Sequence, residues 1–216
     1  MRPIVKGAEP ADFTLWKKRQ SSNKQLRWDN LKDEDWSEVK SKVKETLLNE
    51  QGFVCCYCEQ RIEHANSHIE HLESRHGSPK RAFDYDNLLA CCTKASHCGS
   101  LKGSRTLNVH PLLPDCRKYF VFSGNGSVRP TNEPTHQPLA EEAITILGLG
   151  IGTLNAQRKS AIIGFTQALN GMDPEQARAA LAHIDARDEQ GRNVPFASAI
   201  LSVFPPAPSV GGSTRA

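Results

Sequence analysis

Residues 53–103 read FVCCYCEQRIEHANSHIEHLESRHGSPKRAFDYDNLLACCTKASHCGSLKG, and this stretch decides the architecture. Six of the seven cysteines fall inside it: Cys55, Cys56, Cys58, Cys91, Cys92 and Cys98. Cys55 and Cys58 form a C-x2-C pair, a tight turn that sets two sulfurs at the separation tetrahedral Zn(II) requires. Cys92 and Cys98 supply a second pair, and Cys91 is an alternative to Cys92. Residues 87–92 (NLLACC) read as a strand, so neighbours 91 and 92 face opposite ways and only one can look at the metal. Buried, inert cysteines are the competing reading. So many in so short a segment argue instead for a closed structural zinc site built from Cys55, Cys58, Cys92 and Cys98. Cys116 stands apart as an ordinary thiol.

The rest of the composition agrees with reduced thiols. The opening MRPIVKGAEPADF lacks the apolar run of about 7–15 residues that marks a secretory signal. No stretch approaches the roughly 18 apolar residues of a membrane span. A cytoplasmic location is expected, where clustered cysteines serve metals more often than disulfides. The 216 residues can bury a core without staples. With aromatic residues at 6%, that core should rest on Leu, Ile, Val and Ala. A net charge of +3 and a pI near 8.5 permit a polyanionic partner without demanding one.

Working outward, Asp33 to Glu50 reads as a helix, with Trp36, Val39, Val43, Leu47 and Leu48 mostly three and four apart and Gly52 as its stop. Residues 1–30 show weak periodicity. Segment 53–62 reads as a turn with flanking short strands, 67–73 as a strand and 74–86 as a basic loop. Segment 94–103 reads as a turn into a short helix ended by Gly103. Residues 123–138 are an extended hairpin or linker. Leu139–Leu149 and Leu154–Leu169 are helical in pattern. Asp173 caps a further helix that opens on Pro174 and runs to about Asp188. A last short helix covers 194–204, and the Pro/Gly/Ser-rich tail is expected to be disordered. The chain is thus α+β. It divides into an N-terminal helical extension (1–52), a zinc-bound core (53–116), a linker or hairpin (117–138), a C-terminal helical region (139–205) and a tail (206–216).

In order, CYC, SHIEHLESR, FDYDNLLACC and HCGSLKG resemble the HNH endonucleases of ββα-metal fold, above all the Septu- and retron-associated HNH proteins of the PtuB type. MRPIVKGAEP and the helix leading into EQGFVCCYCE are similar as well, so the likeness covers roughly residues 1–116. The resemblance implies a zinc-bound ββα core. It implies that His71 is the general base, that Asn87 orients it through the backbone, and that Glu70 is an acidic ligand of a catalytic Mg(II) or Mn(II). It favours Cys92 over Cys91. At the third HNH position the chain departs from the pattern, because Gly99 has no side chain; His97, Lys102 or His110 are candidates for the missing ligand. The implied partners are nucleic acid, an ABC-type ATPase of the PtuA kind, and a retron reverse transcriptase with its DNA product. The implied role is a gated effector of anti-phage defence.

These residue types suit the chemistry. Phosphodiester hydrolysis needs an activated water and a cation near the developing charge. A neutral imidazole, titrating near 6.5 when unperturbed, can accept a proton at cellular pH. Mg(II) prefers carboxylate and water oxygens. Four thiolates leave no open coordination position, so the zinc is structural. Arg75, Lys80, Arg81, Lys102 and Arg105, with His76, flank the core and would grip phosphates. Lys17, Lys18, Arg19, Lys24 and Arg27 form a second basic patch. Gly99 keeps two other readings alive: a zinc-ribbon-like nucleic-acid-binding adaptor, and an inactive structural subunit of a defence complex.

Overall fold

The structure is a computed structural model that describes residues 1–23 and 26–205. Lys24 of the second basic patch and the tail 206–216 lie outside the described residues. Helix α1 spans Ala11–Arg19 and α2 spans Glu34–Glu50. Asp33 caps α2, its carboxylate accepting from the Trp36 amide at 2.8 Å. The expected stripe of Trp36, Val39, Val43, Leu47 and Leu48 is buried.

Aromatic rings take a larger share of the core than their number suggests. Trp16, Trp28 and Trp36 pack together with Phe13 and Phe83, with centroids 4.4 Å apart for Trp16–Trp36 and 4.8 Å for Trp28–Trp36. Each large ring removes far more apolar area from water than an aliphatic side chain, so a few gathered in one place outweigh a low overall fraction.

The end of α2 is tied to the cysteine segment by one buried side chain. The Gln51 carboxamide donates to the carbonyls of Val54 (3.0 Å) and Ala90 (2.8 Å) and accepts from the Ala90 amide (2.7 Å). The short strands expected around Cys55–Cys58 reduce to a single bridge between Val54 and Arg61. Strand β1, Ser67–His71, pairs antiparallel with β2, Leu88–Cys92, setting Ser67 opposite Cys92 and His71 opposite Leu88. Thus β1 stops at His71 rather than continuing to residue 73. Asn87 closes a one-turn 3-10 segment instead of opening β2. Helix α3, Gly99–Lys102, follows and ends at Gly103, whose φ of 56° suits glycine. The order is strand, strand, helix.

Beyond this unit, β3 (Phe120–Phe122) and β4 (Val128–Pro130) form the expected hairpin, beginning before residue 123 and leading into α4, Gln137–Leu147. Helices α5 (Gly152–Leu169), α6 (Pro174–Ala182) and α7 (Ala197–Val203) complete the chain. Asp173 caps α6 as expected, accepting from Glu175 and Gln176 amides. The helix stops at Ala182 rather than near 188. There the Asp188 carboxylate accepts from the Gln190 and Arg192 amides, a local turn that competes with helix. Buried side chains run contiguously from Met1 and Trp16 through Leu88 and Leu89 to Leu154 and Ile200, so both flanking regions share a core with the cysteine segment. Among the described residues no helix is long and apolar enough to cross a membrane.

Removing the Gln51 side chain leaves the Val54 carbonyl and the Ala90 amide without that partner, while the Ala90 carbonyl keeps the Cys56 amide at 3.1 Å. Gln51→Ala is expected to lower stability by about 2 kcal/mol or more in urea unfolding, given ~1–3 kcal/mol for each buried group left unpaired. A change below half of that would mean that water replaces the carboxamide.

Candidate metal centre and active site

The knuckle 55–58, the end of β2 and the start of α3 bring the sulfurs of Cys55, Cys58, Cys92 and Cys98 within 4.8 Å of one another, all buried. Cys55 Sγ lies 3.9 Å from Cys98 Sγ. Four neutral thiols in a dry pocket have little reason to converge so closely. A tetrahedral ion bonded at about 2.3 Å would set its sulfurs about 3.8 Å apart. The cluster could therefore hold a structural metal. Burial pushes the Cys58 and Cys98 thiols up, so ionising them requires a cation to offset the charge. Cys91, beside Cys92 on β2, joins Cys55 and Cys56 in a three-sulfur group, its sulfur 3.8 Å from Cys55 Sγ. Its sulfur also accepts from the Gly99 amide at 3.4 Å. Cys116 is buried well away from these sulfurs, donating to the Met1 carbonyl.

His71 ends β1 and is 6% exposed. Its Nε2 lies 3.0 Å from the Ala82 carbonyl, which can only accept, so Nε2 carries the proton and Nδ1 keeps its lone pair. Trp28 stands edge-on over the ring, centroids 4.6 Å apart at 90°. Burial holds the imidazole down at about 4 against an ordinary 6.5, although the Ala82 carbonyl pulls the other way. Asn87 fixes the loop that carries Ala82. Its Nδ2 donates to the carbonyls of Glu73 (3.1 Å) and Arg81 (3.0 Å), and its Oδ1 accepts from the Glu73 amide (2.8 Å).

Glu70 precedes His71 on β1 and takes a different set of partners. Its Oε1 accepts from Tyr57 Oη at 3.1 Å and pairs with Lys102 Nζ at 3.0 Å. Lys102 is 1% exposed and donates also to the His71 carbonyl at 3.0 Å. Glu70 Oε2 lies 3.5 Å from His68 Nε2. Burial raises the Glu70 carboxyl, but the His68 contact and the Lys102 charge outweigh it and hold the group below the usual carboxylate range. Gly99 lies directly against this pair: a Cβ there would sit 2.5 Å from Glu70 Oε2 and 3.1 Å from His68 Nε2. His68, Glu70, His71 and Gly99 line one cavity of about 340 Å³, with Asp29, Ser74, Arg75 and His76 also on its wall.

No protein-family model matches the chain. Two relatives do. One, named "Retron Vc95 putative HNH endonuclease", from Vibrio cholerae serotype O1 biovar El Tor, is 28% identical over 137 residues, covering 59% of this chain and 67% of the relative. The other, named "Retron Ec83 putative HNH endonuclease", from Escherichia coli, is 29% identical over 210 residues, covering 76% of this chain and 80% of the relative. Together they support this chain as an HNH endonuclease, a hydrolase.

In that HNH setting several expected residues sit elsewhere. His97 is buried beside Cys98, with Ser96 Oγ 3.2 Å from its Nδ1, and His110 lines a different cavity with Glu73 and Ser104. Neither is on the wall that holds Glu70. Lys102 is no surface cation: its buried ammonium is committed to Glu70, because an unpaired charge there would be too costly. Arg75 is paired with Asp29, and Arg81 with Glu73, Asp84 and Asp86. Arg105 turns back onto the carbonyls of Leu101, Lys102 and Ile146. Lys80 is exposed at the foot of the loop. Nothing in the sequence points to Tyr57 or Trp28; His68 is spaced H-x2-H with His71, but on a strand it shares its face with Glu70.

The His71 shift sets a pH dependence. Below about pH 6.5 the unfolded chain takes up a proton that the folded imidazole refuses until about pH 4. This contribution to stability is therefore complete above pH 6.5 and lost progressively as pH falls to 4. Thermal melts between pH 7 and 5 should show wild type losing more stability than His71→Asn. Parallel curves would contradict the buried, neutral imidazole.

Proposed function

We propose that this chain is a metal-dependent HNH endonuclease of ββα-metal type that hydrolyses phosphodiester bonds in anti-phage defence. The carrying observation is the His71 imidazole, pinned through Nε2 to Ala82 and opening on the cavity it shares with Glu70. The unprotonated Nδ1 takes a proton from water as the water oxygen attacks phosphorus. The P–O bond on the far side breaks, and the leaving oxygen takes a proton from solvent. Asn87 is a positioning residue: it acts through the loop that holds Ala82. A divalent cation, Mg(II) or Mn(II), bound at Glu70 would offset charge growing on the phosphate oxygens. Lys80, exposed on the loop, is placed to meet a nucleic-acid backbone, and Arg75, on the cavity wall, would do so by exchanging Asp29 for a phosphate.

Zn(II) suits the four-sulfur cluster better than any three-sulfur alternative, since a closed tetrahedral site needs four ligands. The composition of the set supports Cys92 over Cys91. The word retron in both relatives' names supports a retron setting; the family resemblance adds a reverse transcriptase with its DNA product as partners. The resemblance of the motif order to Septu proteins of the PtuB type is the ground for proposing gating by an ABC-type ATPase of the PtuA kind.

Two tests follow. His71→Ala should cut cleavage of labelled nucleic acid by about 10²–10⁴-fold, the usual contribution of a general base, while the zinc content stays unchanged. Cleavage at the wild-type rate would remove His71 from its role. Cys92→Ser should lose zinc, measured by mass spectrometry of the purified protein, whereas Cys91→Ser should keep it. The reverse result would make Cys91 the ligand.

A further inference from the structure

The HNH pattern expects a metal-facing side chain just after the last cysteine, and Gly99 has none. The space such a side chain would enter is already taken. A Cβ at Gly99 would fall 2.5 Å from Glu70 Oε2 and 3.1 Å from His68 Nε2. Both atoms therefore reach the position from the strand side. His68 and Glu70 are two apart on β1 and share a face, and they stand 3.5 Å apart. Adjacent ligands of an octahedral ion bonded at about 2.1 Å lie about 3 Å apart, so a small closure brings the two atoms to ligating distance. The two oxygens of Glu70 are divided in use. Oε1 is held by Tyr57 and Lys102, while Oε2 faces His68 and the cavity. Fixed partners on one oxygen orient the other, as outer groups do around metal ligands.

We infer that His68 supplies the missing third position: its Nε2, with Glu70 Oε2, forms the binding site of the catalytic divalent cation. This rests on the HNH reading of the cavity and names the ligand that reading leaves open. It also sets a preference. An imidazole ligand favours transition ions, whereas Mg(II) prefers an all-oxygen set, so Mn(II) should bind more tightly than Mg(II).

The test is electron spin-echo spectroscopy and calorimetry on the full-length, zinc-loaded protein titrated with Mn(II). Wild type should bind one Mn(II) at this site and show nitrogen modulation from a coordinated imidazole. His68→Ala and His68→Gln should both lose that modulation and bind Mn(II) at least about tenfold more weakly, since even outer-shell changes cost that much. Zinc content and circular dichroism serve as folding controls; the His68 side chain is 36% exposed, so both variants should fold. His68→Asp should restore binding and shift preference toward Mg(II). His71→Ala should keep the wild-type signal while losing cleavage. Nitrogen modulation that survives in the His68 variants, or is lost in His71→Ala, would overturn the assignment, as would no Mn(II) binding by wild type. A nitrogen signal that depends on His68 in a protein that never cleaves would sustain the cation site and refute the nuclease reading instead.

Discussion

Four sulfurs held within 4.8 Å of one another join three pieces of chain that otherwise have little reason to meet. The knuckle brings Tyr57, set between two of the cysteines, into reach of Glu70. Cys98 delivers Gly99 against Glu70 and His68, and starts the helix that carries Lys102. Cys92 anchors β2, whose other end receives the Asn87 latch. On the cavity wall Gly99 and Ser100 follow Cys98 directly, and β1 is held to the cluster by its pairing with β2. An ion bound there would act on the site through geometry alone.

That geometry lets two neighbours in sequence be treated oppositely. Glu70 is kept charged in a buried place by an ammonium and a hydroxyl on the same oxygen. His71 is kept neutral by burial under Trp28 and by a carbonyl that fixes its tautomer. The two side chains take different partners although they line one cavity. Pushing paired titratable groups apart in this way divides the work of cation and base between them. The buried Lys102–Glu70 pair also explains why the local basic charge is not a surface feature: truncating either partner would leave the other unpaired in a dry interior.

Much of this was legible in the sequence. The cysteine spacing pointed to a four-sulfur set, the 3.6 period to α2, and Asp173 to the cap that the structure shows; Asp33, expected as the first residue of α2, is its cap. What was not legible depends on distance in sequence. Lys102 looks like any surface lysine until α3 is packed against β1, and Trp28 lies in a segment without periodicity. Gly99 reads as a lost ligand when only chain order is visible. In three dimensions it is the clearance that two other side chains use. His68 and His71, three apart, cannot converge on one strand face; the same alternation pairs His68 with Glu70. The ion pairs of the basic loop are hidden in the sequence for a related reason. Charges are counted one residue at a time, whereas Asp29, Glu73, Asp84 and Asp86 neutralise their arginine partners only once the loop is folded.

The central claim is that water, activated at His71, cleaves an internal phosphodiester bond. The direct measurement is digestion of circular single-stranded nucleic acid in ¹⁸O-labelled water with Mn(II), by the protein alone and in the complex with which it co-purifies, read by mass spectrometry of the new ends. The account predicts linear products carrying one ¹⁸O atom at each new phosphate. Circles left intact by both preparations, or cut without uptake of ¹⁸O, would contradict it.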